Sequence, residues 1–264
     1  MSPLVDVGPE LAVALVLLVA LACALAAFGE LCLQRDVVVA SVRALVQLGL
    51  VALVIAAVVR SLWLSALFVL TMFLVASGTA GRRLTRSRCG WWCALPVGAG
   101  ALPITAGLVL LGVVPAEGVA VVPVAGILIG GAMAGTVLAG RRGLDELHAR
   151  RGEVEAAMAL GFHDREAGLM VSRPAAAEAM LPGLDQTRTV GLVALPGTFV
   201  GTLLGGATPV QAGAVQVLVL VALLAVQATA VVLVVELIAR GVLRRDTTTA
   251  PGRLSRGRRT RRGG

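Results

Sequence analysis

Apolar residues recur along this chain in runs of about 20, the length at which a helix crosses the hydrocarbon core of a bilayer, and short polar or turn-forming stretches separate them. Seven runs are predicted as spans: Leu11 to Phe28, Val37 to Val59, Leu62 to Ser77, Trp91 to Val113, Val119 to Ala139, Thr189 to Leu204 and Gln211 to Ile238. Most links are short, among them Arg60-Ser61, the basic loop Gly81 to Arg88 and the turns at Pro115 and Thr208. One polar interval is long, from about residue 141 to 188. The predicted fold is an all-α polytopic membrane protein with about seven transmembrane helices over residues 1–243 and a helical loop on the cytoplasmic side over about 141–188. An Arg-rich tail, 244–264, is expected to be disordered.

Composition agrees with this pattern. Hydrophobic residues make up 58% of the chain, against about 45–50% in a soluble domain. The net charge of +8 would suggest nucleic acid in a soluble protein, but here the arginines sit in short loops and the tail, where membrane topology explains them. Arg82, Arg83, Arg86 and Arg88 share one loop; Arg141, Arg142, Arg150, Arg151, Arg165, Arg173 and Arg188 share the polar interval; the tail carries the rest of the bias. Seven spans place all three groups on one side, which the positive-inside rule makes cytoplasmic. The expected location is the plasma (inner) membrane, with the amino terminus outside and the carboxyl terminus cytoplasmic; Arg60 alone dissents. Asp6 and Glu10 before the first run argue against a secretory signal. The tail is expected to meet anionic membrane lipid and no nucleic acid.

Every basic residue is arginine; lysine is absent. A Walker A loop ends in Lys-Ser or Lys-Thr, so this chain carries no ordinary P-loop ATPase, and ATP, if used, is hydrolysed by another polypeptide. Cys23, Cys32, Cys89 and Cys93 show no metal-finger spacing. No cluster of oxygen ligands suggests a hard-metal site, and a metal site stays unassigned. His148 and His163 read as surface residues.

Four features remain. Gly197, Gly201 and Gly205 recur every four residues, as do Gly126 with Gly130 and Gly131 with Gly135; such ridges let helix backbones approach closely, although transmembrane helices are Gly-rich in general. Pro123 and Pro196 are candidate kinks. Arg43 with Gln47, and Gln216 with Gln227, share helix faces and are candidates for lining a solute route; interhelical hydrogen bonding, or snorkelling of Arg43, is the plainer alternative. In the polar interval, Leu147, Val154, Met158 and Phe162 follow helical spacing, Gly161 reads as a helix stop, and Asp164 is a candidate cap for a second short helix. Two short helices broken at a glycine suit a groove on another protein, or the bilayer surface.

Glu155-Ala156-Ala157 followed by Gly161 resembles the EAA loop of ABC-transporter permeases. The longer stretches Pro123-Val124-Ala125-Gly126 through Met133, Leu160-Gly161, Thr189 to Gly197, Arg43 to Gln47 and Thr208 to Ala212 resemble the FetB-type permease family, over about Arg35 to Arg240. The resemblance implies the membrane half of an ABC exporter linked to iron, with plant relatives tied to aluminium tolerance. It implies a separate ATPase subunit as partner, a permease homodimer, no cofactor on this chain, and ATP and Mg in the partner. Glu155, Ala156, Ala157, Leu160, Gly161 and Asp164 would then couple the permease to that ATPase. Gly131 stands where the family leads one to expect asparagine. An ion- or proton-coupled secondary transporter, an ABC permease for a non-metal solute and a membrane scaffold are the alternatives; few acidic residues lie within the runs, which disfavours the first.

Overall fold

The structure, a computed structural model, describes residues 8–58, 61–85 and 87–244. Asp6, Arg60, Arg86 and the tail from 245 onward lie outside the described residues, so the expected Arg60 turn and disordered tail are not part of this description. The chain divides into two compact units, Met1–Arg60 and Ser61–Gly264. The first is a helical hairpin of α1 (Pro9–Phe28) and α2 (Gln34–Val58). Pro9 follows Gly8 at the start of α1, where its missing N–H costs nothing.

The second unit contains α3 (Leu62–Leu84), a 3-10 turn (Arg88–Cys93), α4 (Ala94–Leu110), α5 (Gly118–Ala149), α6 (Arg151–Ala159), α7 (Asp164–Ala177), a 3-10 turn (Glu178–Met180), α8 (Leu181–Thr189), α9 (Gly197–Leu204) and α10 (Pro209–Ala239). Six helical segments of the described chain are long and apolar enough to cross a membrane: α1, α2, α3, Arg88–Leu110, α5 and α10. The all-α polytopic membrane fold is therefore as expected, with one span drawn differently.

That span is the sixth. Thr189 to Leu204 is not one helix: α8 ends at Thr189, an isolated bridge between Val190 and Ala194 closes a loop, and α9 has only eight residues. Gly191 in the loop has φ +82, a conformation glycine adopts without strain. The polar interval also differs from expectation. α5 continues to Ala149, about 48 Å in all, and α7 folds back onto the bundle. Gly131 packs on Leu223, Gly135 on the Gln227 backbone and Gly143 on Ile238, so α5 and α10 run parallel. Gly168 lies on Ala239 and Gly183 on Gln227 and Leu224, so α7 and α8 run antiparallel to α10. Of residues 141–188, the stretch around α6 projects beyond this packing. The rest belongs to the bundle, with Ala167, Gly168, Leu169, Val171, Ser172 and Ala176 of α7 buried.

The core is built from small and branched apolar residues, including Ala76, Ala80, Ala101, Ala125, Leu128, Ala132, Val226, Ala230 and Val234. Without water to drive helices together in lipid, close van der Waals approach does the work, and small residues permit it. α3 extends through Arg82 and Arg83, so the expected basic loop Gly81 to Arg88 begins as the last turn of a helix. Arg141 donates to the Arg83 carbonyl (3.4 Å), and the Cys89 thiol to the Arg244 carbonyl (3.9 Å). These contacts gather the arginines of three sequence regions at one end of the bundle. The turns before α5 and before α10 lie at the other end.

Candidate functional site

At the arginine-rich end, α5, α6 and α7 form a projection. Arg150 breaks the helix between α5 and α6 with φ −108 and ψ 32. Its guanidinium holds the broken ends together, donating to Glu146 (3.4 Å) and to Glu153 (Nε to Oε1, 2.7 Å). The hydrogen bond from Arg150 lowers the Glu153 carboxyl below its ordinary value. Arg151 pairs with Glu155 (2.8 Å) one turn along α6, the spacing at which side chains on a helix meet.

The end of α6 is a Schellman motif. The Phe162 N–H donates to Ala157 (3.2 Å) and the Gly161 N–H to Met158 (3.0 Å), with Gly161 at φ +95. α7 then starts with His163 as its N-cap, and the Glu166 carboxylate accepts the His163 N–H at 3.2 Å. This corrects the expected cap. Asp164 is the first residue of the helix, and Glu166, three positions after the cap, satisfies the backbone donor instead. The base of α7 is anchored by Arg165, which binds Glu236 of α10 through two nitrogens (2.5 and 2.9 Å); Glu236 also accepts from Arg240 (2.6 Å).

Of the residues singled out for coupling, Glu155, Ala156, Leu160, Gly161 and Asp164 are exposed on this projection, whereas Ala157 is buried. Leu160 is 80% and Phe162 50% exposed. They flank Gly161, so an apolar tip stands between the charged pairs of α6 and the start of α7. Phe162 was readable only as part of a stripe; its place at the tip follows from the glycine turn.

Gln216 and Gln227 both lie on the inward side of α10. Gln216 is only 4% exposed, and the amide oxygens of both are buried without a hydrogen-bond partner among the described residues. Gln227 sits where α5, α8 and α10 meet, beside Gly131 and Gly183. Gly131 packs closely here: a Cβ would overlap the Leu223 side chain, which would have to shift, and stand 3.8 Å from the Gln227 amide nitrogen. Ser77 on α3 is a further buried polar group without a partner among the described residues. Arg43 and Gln47 belong to the first unit, one turn apart on an exposed face of α2, lining a shallow groove with Val38, Val39, Val42 and Val46.

The packing residues divide. Gly126 meets Met72 of α3, whereas Gly130, Gly197 and Gly201 meet nothing within 4 Å and Gly205 meets only its own preceding turn. Among the described residues, a Cβ on the expected glycine ridge of the sixth run would thus meet no other helix. Pro123 lies inside α5, but Pro196 is the N-cap of α9 and starts a helix instead of kinking one. Among the described residues no group of three or more His, Cys, Asp or Glu could hold a metal ion.

Residues 9–243 match the family described as Uncharacterised protein family (UPF0014). The chain belongs to the UPF0014 family. Curated relatives within reach are UPF0014 membrane protein STAR2 of rice, 34% identical over 81% of this chain and 76% of that protein, and Protein ALUMINUM SENSITIVE 3 of Arabidopsis thaliana, 33% identical over 78% and 77%. The protein named Probable iron export permease protein FetB of Escherichia coli is 30% identical over 72% of this chain and 74% of its own. No solved structure matches. For this UPF0014 member, the matched span contains both helical units and the α6 projection.

Proposed function

We propose that this chain is the membrane-spanning subunit of an ABC transporter that moves a metal ion, iron first among the choices, with ATP hydrolysed on a separate chain. The observation that carries the reading is the projection itself: a short helix closed by a glycine cap, with Leu160 and Phe162 exposed at its tip and its flanks pinned to the two long bundle helices. An apolar tip rimmed by charged pairs fits a groove on a soluble partner, where buried apolar anchors supply most of the binding energy. The absence of lysine points the same way, since the chain needs ATP hydrolysis from elsewhere. Relatives named for iron export and for aluminium sensitivity favour a metal ion as cargo.

In this reading the arginine-rich end is cytoplasmic. Closure of the paired ATPase subunits presses on α6. Force passes through Gly161 to α7, and the Arg165–Glu236 contact carries it to α10. Two permease chains would complete the pathway. Gln216 and Gln227 would face the moving solute, their unpartnered amide oxygens replacing part of its hydration shell.

The test is co-reconstitution of the full chain in liposomes with each soluble P-loop ATPase of the host, measuring hydrolysis and iron flux. Iron-stimulated hydrolysis by a stably bound ATPase supports the reading. A bound ATPase indifferent to iron leaves the transporter class and removes the cargo. Flux without any ATPase would replace the reading with an ion-coupled carrier.

A further inference from the structure

A cavity of about 500 Å³ opens where α3 ends and the 3-10 turn before α4 begins, lined by Gly78, Gly81, Arg82, Thr85, Ser87, Arg88, Gly90 and Trp91. We propose that it binds the phosphate of an anionic glycerophospholipid. Its charge is entirely positive: neither Arg82 nor Arg88 forms an ion pair among the described residues. Arg82 is folded back along its helix, Nε donating to the Gly78 carbonyl (3.3 Å), which lays the guanidinium over a residue with no side chain. Guanidinium groups are suited to phosphate because their planar forks match its oxygens.

The cavity also has hydroxyls held in place. The Thr85 hydroxyl accepts from the Ser87 N–H (3.2 Å) and lies 2.9 Å from the Ser87 hydroxyl, which in turn contacts the Cys89 sulfur (2.7 Å). Thr85 is buried. The floor exists because two glycines touch. A Cβ at Gly81 would come within 2.5 Å of the Gly90 carbonyl oxygen, so the helix and the turn approach as bare backbone.

Depth selects a lipid over a soluble phosphate. The cavity lies at the end of one spanning helix and the start of another, and Trp91 at its rim is 70% exposed, with Trp92 also exposed beside it. Exposed tryptophans at helix ends sit at the headgroup level, and basic pockets between helices at that level are suited to anionic headgroups. The arginines of this loop thus have a use beyond setting orientation.

The experiment uses the full chain with Trp63→Phe and Trp92→Phe, leaving Trp91 as the sole indole, in nanodiscs of phosphatidylcholine doped with brominated phosphatidylglycerol or brominated phosphatidylcholine. Bromine quenches a tryptophan in contact with it. The expected result is preferential quenching by the anionic lipid, falling about fivefold in relative affinity for each of Arg82→Gln and Arg88→Gln. Arg83→Gln removes the same charge from the same helix end but from outside the cavity, and it leaves the preference intact. Arg82→Lys with Arg88→Lys retains most of the preference, which separates lost charge from lost folding. Equal loss in Arg83→Gln overturns the proposal in favour of bulk surface charge. Relief of quenching by added inorganic phosphate or glycerol phosphate overturns the lipid as occupant and leaves a soluble phosphate site.

Discussion

Replacing Gly161 by alanine tests whether the α6 projection depends on one backbone angle. The residue sits at φ +95 and a Cβ there would meet nothing within 4 Å, so no steric term enters. What remains is the cost of holding an L-residue in the left-handed region, about 1–2 kcal/mol. That cost falls on the Schellman closure between Ala157 and Phe162 and should raise opening of the α6 end about 5- to 30-fold. Gly152→Ala is the matched comparison. It too has open space around it, but it lies inside α6 at a negative φ, where alanine stabilises a helix by about 0.5–1 kcal/mol. Hydrogen exchange read by mass spectrometry over peptides covering residues 151–163 should therefore speed up in Gly161→Ala and slow down in Gly152→Ala. Peptides from α5 and α10 should not change. If the proposed coupling to a separate ATPase holds, Gly161→Ala should lose transport while keeping hydrolysis. Equal exchange in the two variants would refute the backbone argument, and loss of protection spreading into α10 would show that the projection is not a separate cooperative unit.

Gly131→Ala should destabilise the detergent-purified protein by about 1–3 kcal/mol through overlap with Leu223, whereas Gly130→Ala, one residue away and facing open space inside the same helix, should hold or raise the unfolding temperature; an equal loss in both would count against the α5–α10 register. Gln216→Leu and Gln227→Leu replace buried amides whose oxygens lack partners, so stability should hold or rise while transport falls; retained transport would remove both from the solute route. Because the Glu153 carboxyl is lowered in the folded chain by its hydrogen bond from Arg150, the contact contributes fully above the carboxyl's ordinary value and is lost as pH falls through its depressed one. Exchange in α6, corrected for its intrinsic pH dependence, should therefore rise on the acid side, and Glu153→Gln should flatten that rise.

Much of this protein could be read from local pattern. Apolar run length marks the spans, because a helix in lipid must satisfy its own backbone and present apolar side chains over a fixed thickness. The run from Gln211 to Ile238 became α10 within two residues, and the signal for its start, Thr208-Pro209 with Gln211, is a capping box in which the Gln211 N–H donates to the threonine hydroxyl at 3.3 Å. Gly161 as a stop was legible for a similar reason: a positive φ at a helix end is a local demand that glycine meets with least strain.

The tertiary structure decided what averaging over a window hides. α7 carries Arg165, Glu166 and Arg173 along with Ala167, Gly168, Ser172 and Ala176, so its mean polarity reads as a loop. Its small face nevertheless fits against α5 and α10 closely enough to bury it. In the same way, spacing alone could not tell Gly131, pressed against Leu223, from Gly197 and Gly201, which face open space. Periodicity states which residues share a helix face. Which neighbour that face meets depends on how distant helices stack, and for Gln227, Gly131 and Gly183 the meeting joins three segments spread over nearly a hundred residues of the chain.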